Sequence, residues 1–184
     1  SKNRFASSLP VTDERTLALF SEACKETGAL QVVELRQSDE IPVPLTYGVL
    51  HPVVLIPKTC LHAEVMDDAQ ARFVLAHELC HVRRHDVALK FVLAAAVCLH
   101  WFNPMAWIMW VLAMRDIELA CDEAVVRLLG RNDPGTTRAR YARALISMEE
   151  SKGGLAPLTL CSAFNKTAIE ERIVAIMNIK KTTC

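Results

Sequence analysis

Residues Val74 to Asp86 read VLAHELCHVRRHD. On a helix, His77 and His81 stand one turn apart, about 6 Å along the axis, and share a face. Their imidazoles can converge on one metal ion. Glu78 projects from the next position round, where a carboxylate can reach a water at the metal without being a ligand itself. This is the pattern of a zinc hydrolase. It leaves one requirement open, because a catalytic zinc keeps three protein ligands and one position for water.

The third ligand does not come from the same helix. His85 lies two turns from His77, about 12 Å along the axis, whereas zinc bonds are about 2 Å long. The extended pattern HExxHxxGxxH also fails, since Arg84 stands at the glycine position and Val87 at the last histidine. Downstream, RDIELACDEAVVRLL has a second helical pattern, with Glu118 and Asp122 four residues apart and on one face. Such a pair offers one carboxylate to a metal and another to orient a ligand histidine from behind.

Working outward, the 184 residues suit a single domain with a sizeable core. A net charge of zero gives no sign of a nucleic-acid surface. The seven cysteines, at 24, 60, 80, 98, 121, 161 and 184, include no CxxC pair, which argues for a reducing compartment. Cys80 and Cys121 are expected to pack as small apolar residues. SKNRFASSLP has no apolar core of a secretory signal, and both ends look cut from something longer. Upstream, Thr12 is expected to cap a helix over residues 13–27 that stops at Gly28. The β-branched, proline-broken stretch that follows suggests short strands at a sheet edge, with TYGVLHPVVLIP (residues 46–57) as a hairpin. From Asp67 a helical pattern runs through the motif to about Lys90.

The 24 residues from Phe91 through Met114 carry no Asp, Glu, Lys or Arg, enough to cross a bilayer once. A single crossing would separate His77 from Glu118, so the run must double back. Asn103-Pro104 in its middle predicts two helices of about 18 Å each. Arg83, Arg84, Lys90, Arg115 and Arg127 flank the run, as the positive-inside rule expects if both ends face the cytoplasm. Trp101, Trp107 and Trp110 suit an interfacial position. Burial inside the protein and insertion into a membrane both remain open. The terminal IKKTTC is expected to precede a membrane span. In the last third, Tyr141 to Glu150 looks helical, GGLAPL is a break, and Thr167 with Glu170 forms a capping box ahead of a final helix bearing Ile169, Ile173, Ile176 and Met177.

HELCHVRRHD, HWFNPMAW and RDIELACDEAV together resemble the BlaR/MecR type of membrane antirepressor metallopeptidase, within the gluzincin class. The likeness extends to PLTYGVLHPVVLIP upstream and SAFNKTAIEERI downstream. It implies an α+β, mostly helical gluzincin-type fold over residues 1–184, with a small upstream sheet or hairpin in residues 1–62. Residues 63–130 would hold the metal-binding helices with the hydrophobic helical hairpin between them, and residues 131–184 C-terminal helices. It further implies one Zn2+ held by His77, His81 and Glu118, Glu78 as general base, and Asp122 and Asp86 behind the ligands. Arg115, His85 and Tyr47 are candidates for stabilising the oxyanion, with Arg115 carried forward as the catalytic one. The strand around Tyr47, Gly48 and Val49 is expected to align the substrate backbone. Regulated self-cleavage in an extended segment at Ala163-Phe164 is also implied. The substrates would be the parent chain and a cytoplasmic DNA-binding repressor, at the inner face of a bacterial cell membrane, with no direct nucleic-acid contact and a homodimer left open. A non-catalytic zinc-binding signalling module and a quality-control peptidase of membrane proteins are the rival readings.

Overall fold

In a computed structural model that describes residues 8–29, 32–58, 66–131, 133–152 and 161–179, the HExxH motif lies near the C-terminal end of α2 (Asp68–Arg83). The side chains of 149–152 and 161–167 lie outside that description. Before α2 come β1 (Leu9–Pro10), α1 (Glu14–Thr27), β2 (Glu34–Ser38), β3 (Leu45–Tyr47) and β4 (Val53–Pro57). After it come α3 (Asp86–Leu99), α4 (Pro104–Leu129), α5 (Pro134–Lys152) and α6 (Cys161–Asn178). The molecule is mostly helical with one small sheet.

Helix starts follow local capping chemistry. Asp13, rather than Thr12, caps α1 by accepting the Thr16 backbone N–H at 2.9 Å, and Gly28 ends it in the left-handed region that a residue without Cβ enters freely. At α2, Asp67 and Gln70 form a reciprocal capping box. The sheet order is β1-β2-β4-β3. β4 pairs with β2 in parallel and with β3 antiparallel, so TYGVLHPVVLIP does form a hairpin. Of the two hairpin strands, β3 is at a sheet edge, while β4, expected at an edge, is interior and buried along its whole length. Between the two strands Gly48 has φ 88°, and a Cβ there would strike the carbonyl oxygen of His51.

Ten consecutive residues of α2, Phe73 to Val82, are buried, and the helix has three working faces. Phe73, Ala76 and Cys80 enter a core with Cys121, Val125, Tyr141, Leu145 and Ile176. Leu75, Leu79 and Val82 enter another with Ala23, Leu35, Val54 and Ile56. The remaining stripe is Val74, His77, Glu78 and His81. A helix apolar on two sides is fixed rigidly, and its third side presents the polar residues of the motif.

The continuous helix expected to about Lys90 breaks instead at Arg84-His85. His85 adopts φ 56°, a left-handed conformation uncommon outside glycine, and α3 departs from it. α3 and α4 are joined by a turn at which Asn103 caps α4, its side chain accepting the Met105 N–H at 2.9 Å, with Pro104 in the first turn of the helix. No helix among the described residues is long and apolar enough to cross a membrane. Along α3, α4 and the turn between them, Phe91, Leu99, Trp101, Phe102, Trp107 and Met109 are exposed. Helix α6 begins at Cys161, so Thr167 lies inside it and not at its cap. The GGLAPL break and the KKTTC end lie outside the described residues.

Candidate metal centre

α2 supplies His77 and His81, α4 supplies Glu118, and the three converge. The two Nε2 atoms are 3.2 Å apart. Glu118 Oε2 is 3.4 Å from His77 Nε2 and Glu118 Oε1 3.6 Å from His81 Nε2. Ligands bonded to one tetrahedral ion at 2.0–2.1 Å lie about 3.3 Å from each other. Two imidazole nitrogens and the two oxygens of one carboxylate therefore surround a position that a single zinc-sized cation fits, the three residues forming a triangle of donors.

The far side of each ring fixes which nitrogen is free. His81 Nδ1 lies 2.8 Å from Asp86 Oδ2, a carboxylate that only accepts, so Nδ1 carries the proton and Nε2 faces the metal position. Asp86 reaches His81 because the helix breaks at His85; on a continuous helix a residue five positions on would lie about 140° round the axis. Cys121 joins the contact, its Sγ 3.2 Å from His81 Nδ1 and 3.3 Å from Asp86 Oδ2. It is thus a polar partner as well as a packing residue. On the other ring, the Tyr141 hydroxyl donates to Asp122 Oδ1 at 2.6 Å and lies 2.9 Å from His77 Nδ1, from which it accepts. Asp122 Oδ1 is itself 3.3 Å from that nitrogen. Arg172 of α6 closes the array by donating Nε and Nη2 to the two Asp122 oxygens at 2.6 and 2.7 Å.

The electrostatics call for a cation. Burial works against charge on both imidazoles, yet hydrogen bonds to Asp122 and Glu118 outweigh it at His77, raising its pKa. At His81, burial is likewise overcome, chiefly by Asp86, and the value is pushed up to about 12. Burial also opposes ionisation of Glu118, but contact with both histidines holds its carboxyl well below the usual range. Asp122 is likewise lowered against burial by Arg172 and His77. A buried acidic cluster that draws protons onto two imidazoles is a site whose charge a divalent ion would balance.

Glu78 stands beside the triangle without joining it. Its Oε2 accepts a 2.6 Å hydrogen bond from the Thr46 hydroxyl of β3. A cleft of about 710 Å³ opens here, lined by Tyr47, Gly48, Val49, His77, Glu78, His81, Asp86 and Glu118 among others. Lys90 also faces it, with Nζ 3.6 Å from Glu118 Oε1. Arg115 is drawn elsewhere, into an ion pair with Glu171 of α6, and His85 forms the turn between α2 and α3. Ala163 and Phe164 have helical backbone in α6, not the extended conformation expected of a cleavage segment, and their side chains lie outside those described. Sequence reasoning missed Arg172, Tyr141, Thr46 and Lys90. Thr46 and Arg172 lie inside the stretches PLTYGVLHPVVLIP and SAFNKTAIEERI and Lys90 just beyond the HExxH segment, but nothing in the spacing assigned them to the site; they and Tyr141 arrive through tertiary packing.

Two imidazoles and a carboxylate around one candidate cation position, with a further carboxylate at the mouth of a cleft, are an arrangement that suits a metallopeptidase. The chain belongs to the family described as BlaR1 peptidase M56, whose profile matches residues 1–176. It is 28% identical over 172 residues to the regulatory protein BlaR1 of Bacillus licheniformis, covering 92% of this chain and 28% of that one. It is 25% identical over 114 residues to the methicillin resistance mecR1 protein of Staphylococcus aureus, covering 62% of this chain and 18% of that one. The same figures hold for the mecR1 protein of Staphylococcus epidermidis. The chain thus spans less than a third of the length of these relatives.

Proposed function

We propose that this chain is a gluzincin-type zinc endopeptidase domain of a bacterial membrane signal transducer, with His77, His81 and Glu118 as the metal ligands. The observation that carries the reading is the convergence of the two Nε2 atoms, 3.2 Å apart, with the Glu118 carboxylate, whose Oε2 and Oε1 lie 3.4 and 3.6 Å from them, while Glu78 stays outside. A bound zinc ion supplies Lewis acidity toward the scissile carbonyl and acidifies water. Glu78 Oε1 or Oε2 accepts the proton of the attacking water and later delivers it to the leaving amine. The Thr46 hydroxyl restrains that carboxylate. β3 is the sheet edge next to the cleft, so a peptide can pair with it as an added strand and lie across the ligands. Tyr47 and Lys90 line the cleft where an oxyanion would form, and they replace Arg115 in that role.

The peptidase family and the regulatory and methicillin-resistance names of the relatives support a regulatory peptidase; its proposed substrates are its own parent chain and a cytoplasmic repressor. The exposed apolar residues of α3 and α4, in a run without formal charge and flanked by basic residues, support contact with one leaflet of the membrane from the cytoplasmic side. Wild-type chain should float with anionic vesicles, and Trp101→Glu with Met109→Glu should not; equal flotation removes the membrane contact.

The test of the activity is Glu78→Gln. Zinc content should match wild type, while peptide cleavage falls by at least about 10²-fold. Undiminished cleavage would show that Glu78 is not the base.

A further inference from the structure

We propose that Arg172 is a positioning residue for the metal centre, making the geometry of two ligands conditional on the docking of α6. The inference rests on the assignment of His77, His81 and Glu118 as ligands. Arg172 grips both oxygens of Asp122, at 2.6 and 2.7 Å, and its third nitrogen, Nη1, is 3.9 Å from Glu118 Oε2. One guanidinium therefore spans the carboxylate behind His77 and the carboxylate that is itself a ligand. Glu118 and Asp122 are one turn apart on α4, and the planar fork fixes both relative to each other. With its two oxygens held, Asp122 turns Oδ1 toward the Tyr141 hydroxyl, and that hydroxyl sets the His77 ring.

The rest of α6 is held differently. Ile176 is buried in the core shared with Phe73 and Tyr141. Arg138 donates to the Met177 carbonyl at 3.3 Å, and Arg115 pairs with Glu171 on the surface. These contacts dock the helix without touching the centre. Arg172 is the link, among the described side chains of α6, between docking and the ligands. Any event that displaces α6 withdraws the fork and loosens His77 and Glu118 together. A cut or a partner acting near the start of this helix would thereby be felt at the metal, some ten residues further along.

The experiment measures zinc affinity by competition with a chromophoric chelator, alongside thermal melting of the metal-free chain, for wild type, Arg172→Gln, Arg172→Lys and Glu171→Gln. Arg172→Gln should bind zinc about 10- to 100-fold more weakly, the usual size for loss of an outer partner. Arg172→Lys, which keeps charge but not the fork, should fall between. Glu171→Gln cuts the neighbouring α6 ion pair and should keep wild-type affinity. Wild-type affinity in Arg172→Gln, whatever its melting temperature, would overturn the proposal. So would an equal loss in Glu171→Gln, which would reduce Arg172 to one docking contact among several. Should Arg172→Gln not fold, Arg172→Lys decides, with undiminished affinity again fatal. A wild-type chain without zinc affinity would instead remove the ligand assignment on which the proposal stands.

Discussion

His77 and His81 sit one turn apart on one rigid helix, yet their outer nitrogens are braced by different parts of the molecule. His81 leans on Asp86, five residues further along, through a helix break made for that purpose by a left-handed His85. His77 leans on Tyr141 of α5, then Asp122 of α4, then Arg172 of α6. The first brace is local and exists once α2 and α3 have formed. The second exists only when three later helices have packed. They also differ in charge balance: Asp122 and Arg172 are a largely buried ion pair, whereas the cation nearest Asp86 besides His81 is the half-exposed Arg84, at 3.4 Å. Of the two proposed ligands, one thus depends on neighbouring sequence and the other reports on the whole fold.

The comparison breaks most decisively if the two aspartates are equivalent. Asp122→Asn leaves the Arg172 guanidinium without its counter-charge in the interior, a situation that costs about 3–5 kcal/mol. Asp86→Asn keeps an acceptor oxygen for His81 and strands no buried arginine, so its cost should be about 1–3 kcal/mol. Urea unfolding of the metal-free chains measures both. Equal losses would mean that the buried arginine does not distinguish the two sites.

Acid–base behaviour sharpens the contrast further. His81 has a folded-state pKa raised above its unfolded value, so the stability this contributes to the metal-free chain is complete below about pH 6.5. It is lost as pH rises from there toward the folded value near 12 at about 1.4 kcal/mol per pH unit for one proton. His77 shifts in the same direction. With His77 and His81 as the proposed ligands, zinc affinity is expected to run the other way, growing with pH, since the ion would displace those protons. Unfolding free energies of the metal-free chain from pH 6 to 9, with calorimetric proton release on zinc addition, should show opposed trends. Asp86→Asn removes the strongest influence raising His81 and should flatten the slope. A slope that Asp86→Asn leaves intact would place the titrating group elsewhere.

The same division explains what could be read from sequence. HExxH and the Glu118/Asp122 pair are fixed by helical spacing, and spacing is written in the chain; so are the Asp67 capping box and the Pro104 start of α4. The break at His85 was not legible, because apolar residues resume at Val87 directly beyond Arg83 to Asp86 and no glycine or proline marks it. Asp86 was therefore placed behind a ligand by resemblance, while the conformation that takes it there came from the coordinates. Tyr141 and Arg172 lie 64 and 50 residues from the groups they touch, and although Arg172 falls within SAFNKTAIEERI, no local spacing ties either of them to the motif helices. Arg115 was attractive through proximity in sequence to Glu118, but three residues along α4 is enough to aim it at Glu171. β4 reads as proline-broken and peripheral, yet its run of apolar residues suits a strand buried on both faces.

The smallest effect isolates the neutral link in the long brace. In Tyr141→Phe the ring still fills its place beside Phe73, 5.4 Å away, but the hydroxyl between His77 Nδ1 and Asp122 Oδ1 is gone. Asp122 Oδ1 is already 3.3 Å from Nδ1, so a slight shift can restore a direct bond, and the net loss should be about 1 kcal/mol, roughly fivefold in zinc affinity. Cys121→Ala is its counterpart on the other ring. His81 Nδ1 keeps its bond to Asp86 there, and a thiol is a weak donor, so zinc affinity should change by less than about twofold. Chelator competition on the two variants distinguishes these values. A larger loss from Cys121→Ala than from Tyr141→Phe would mean that the short brace, and not the long one, depends on a neutral intermediary.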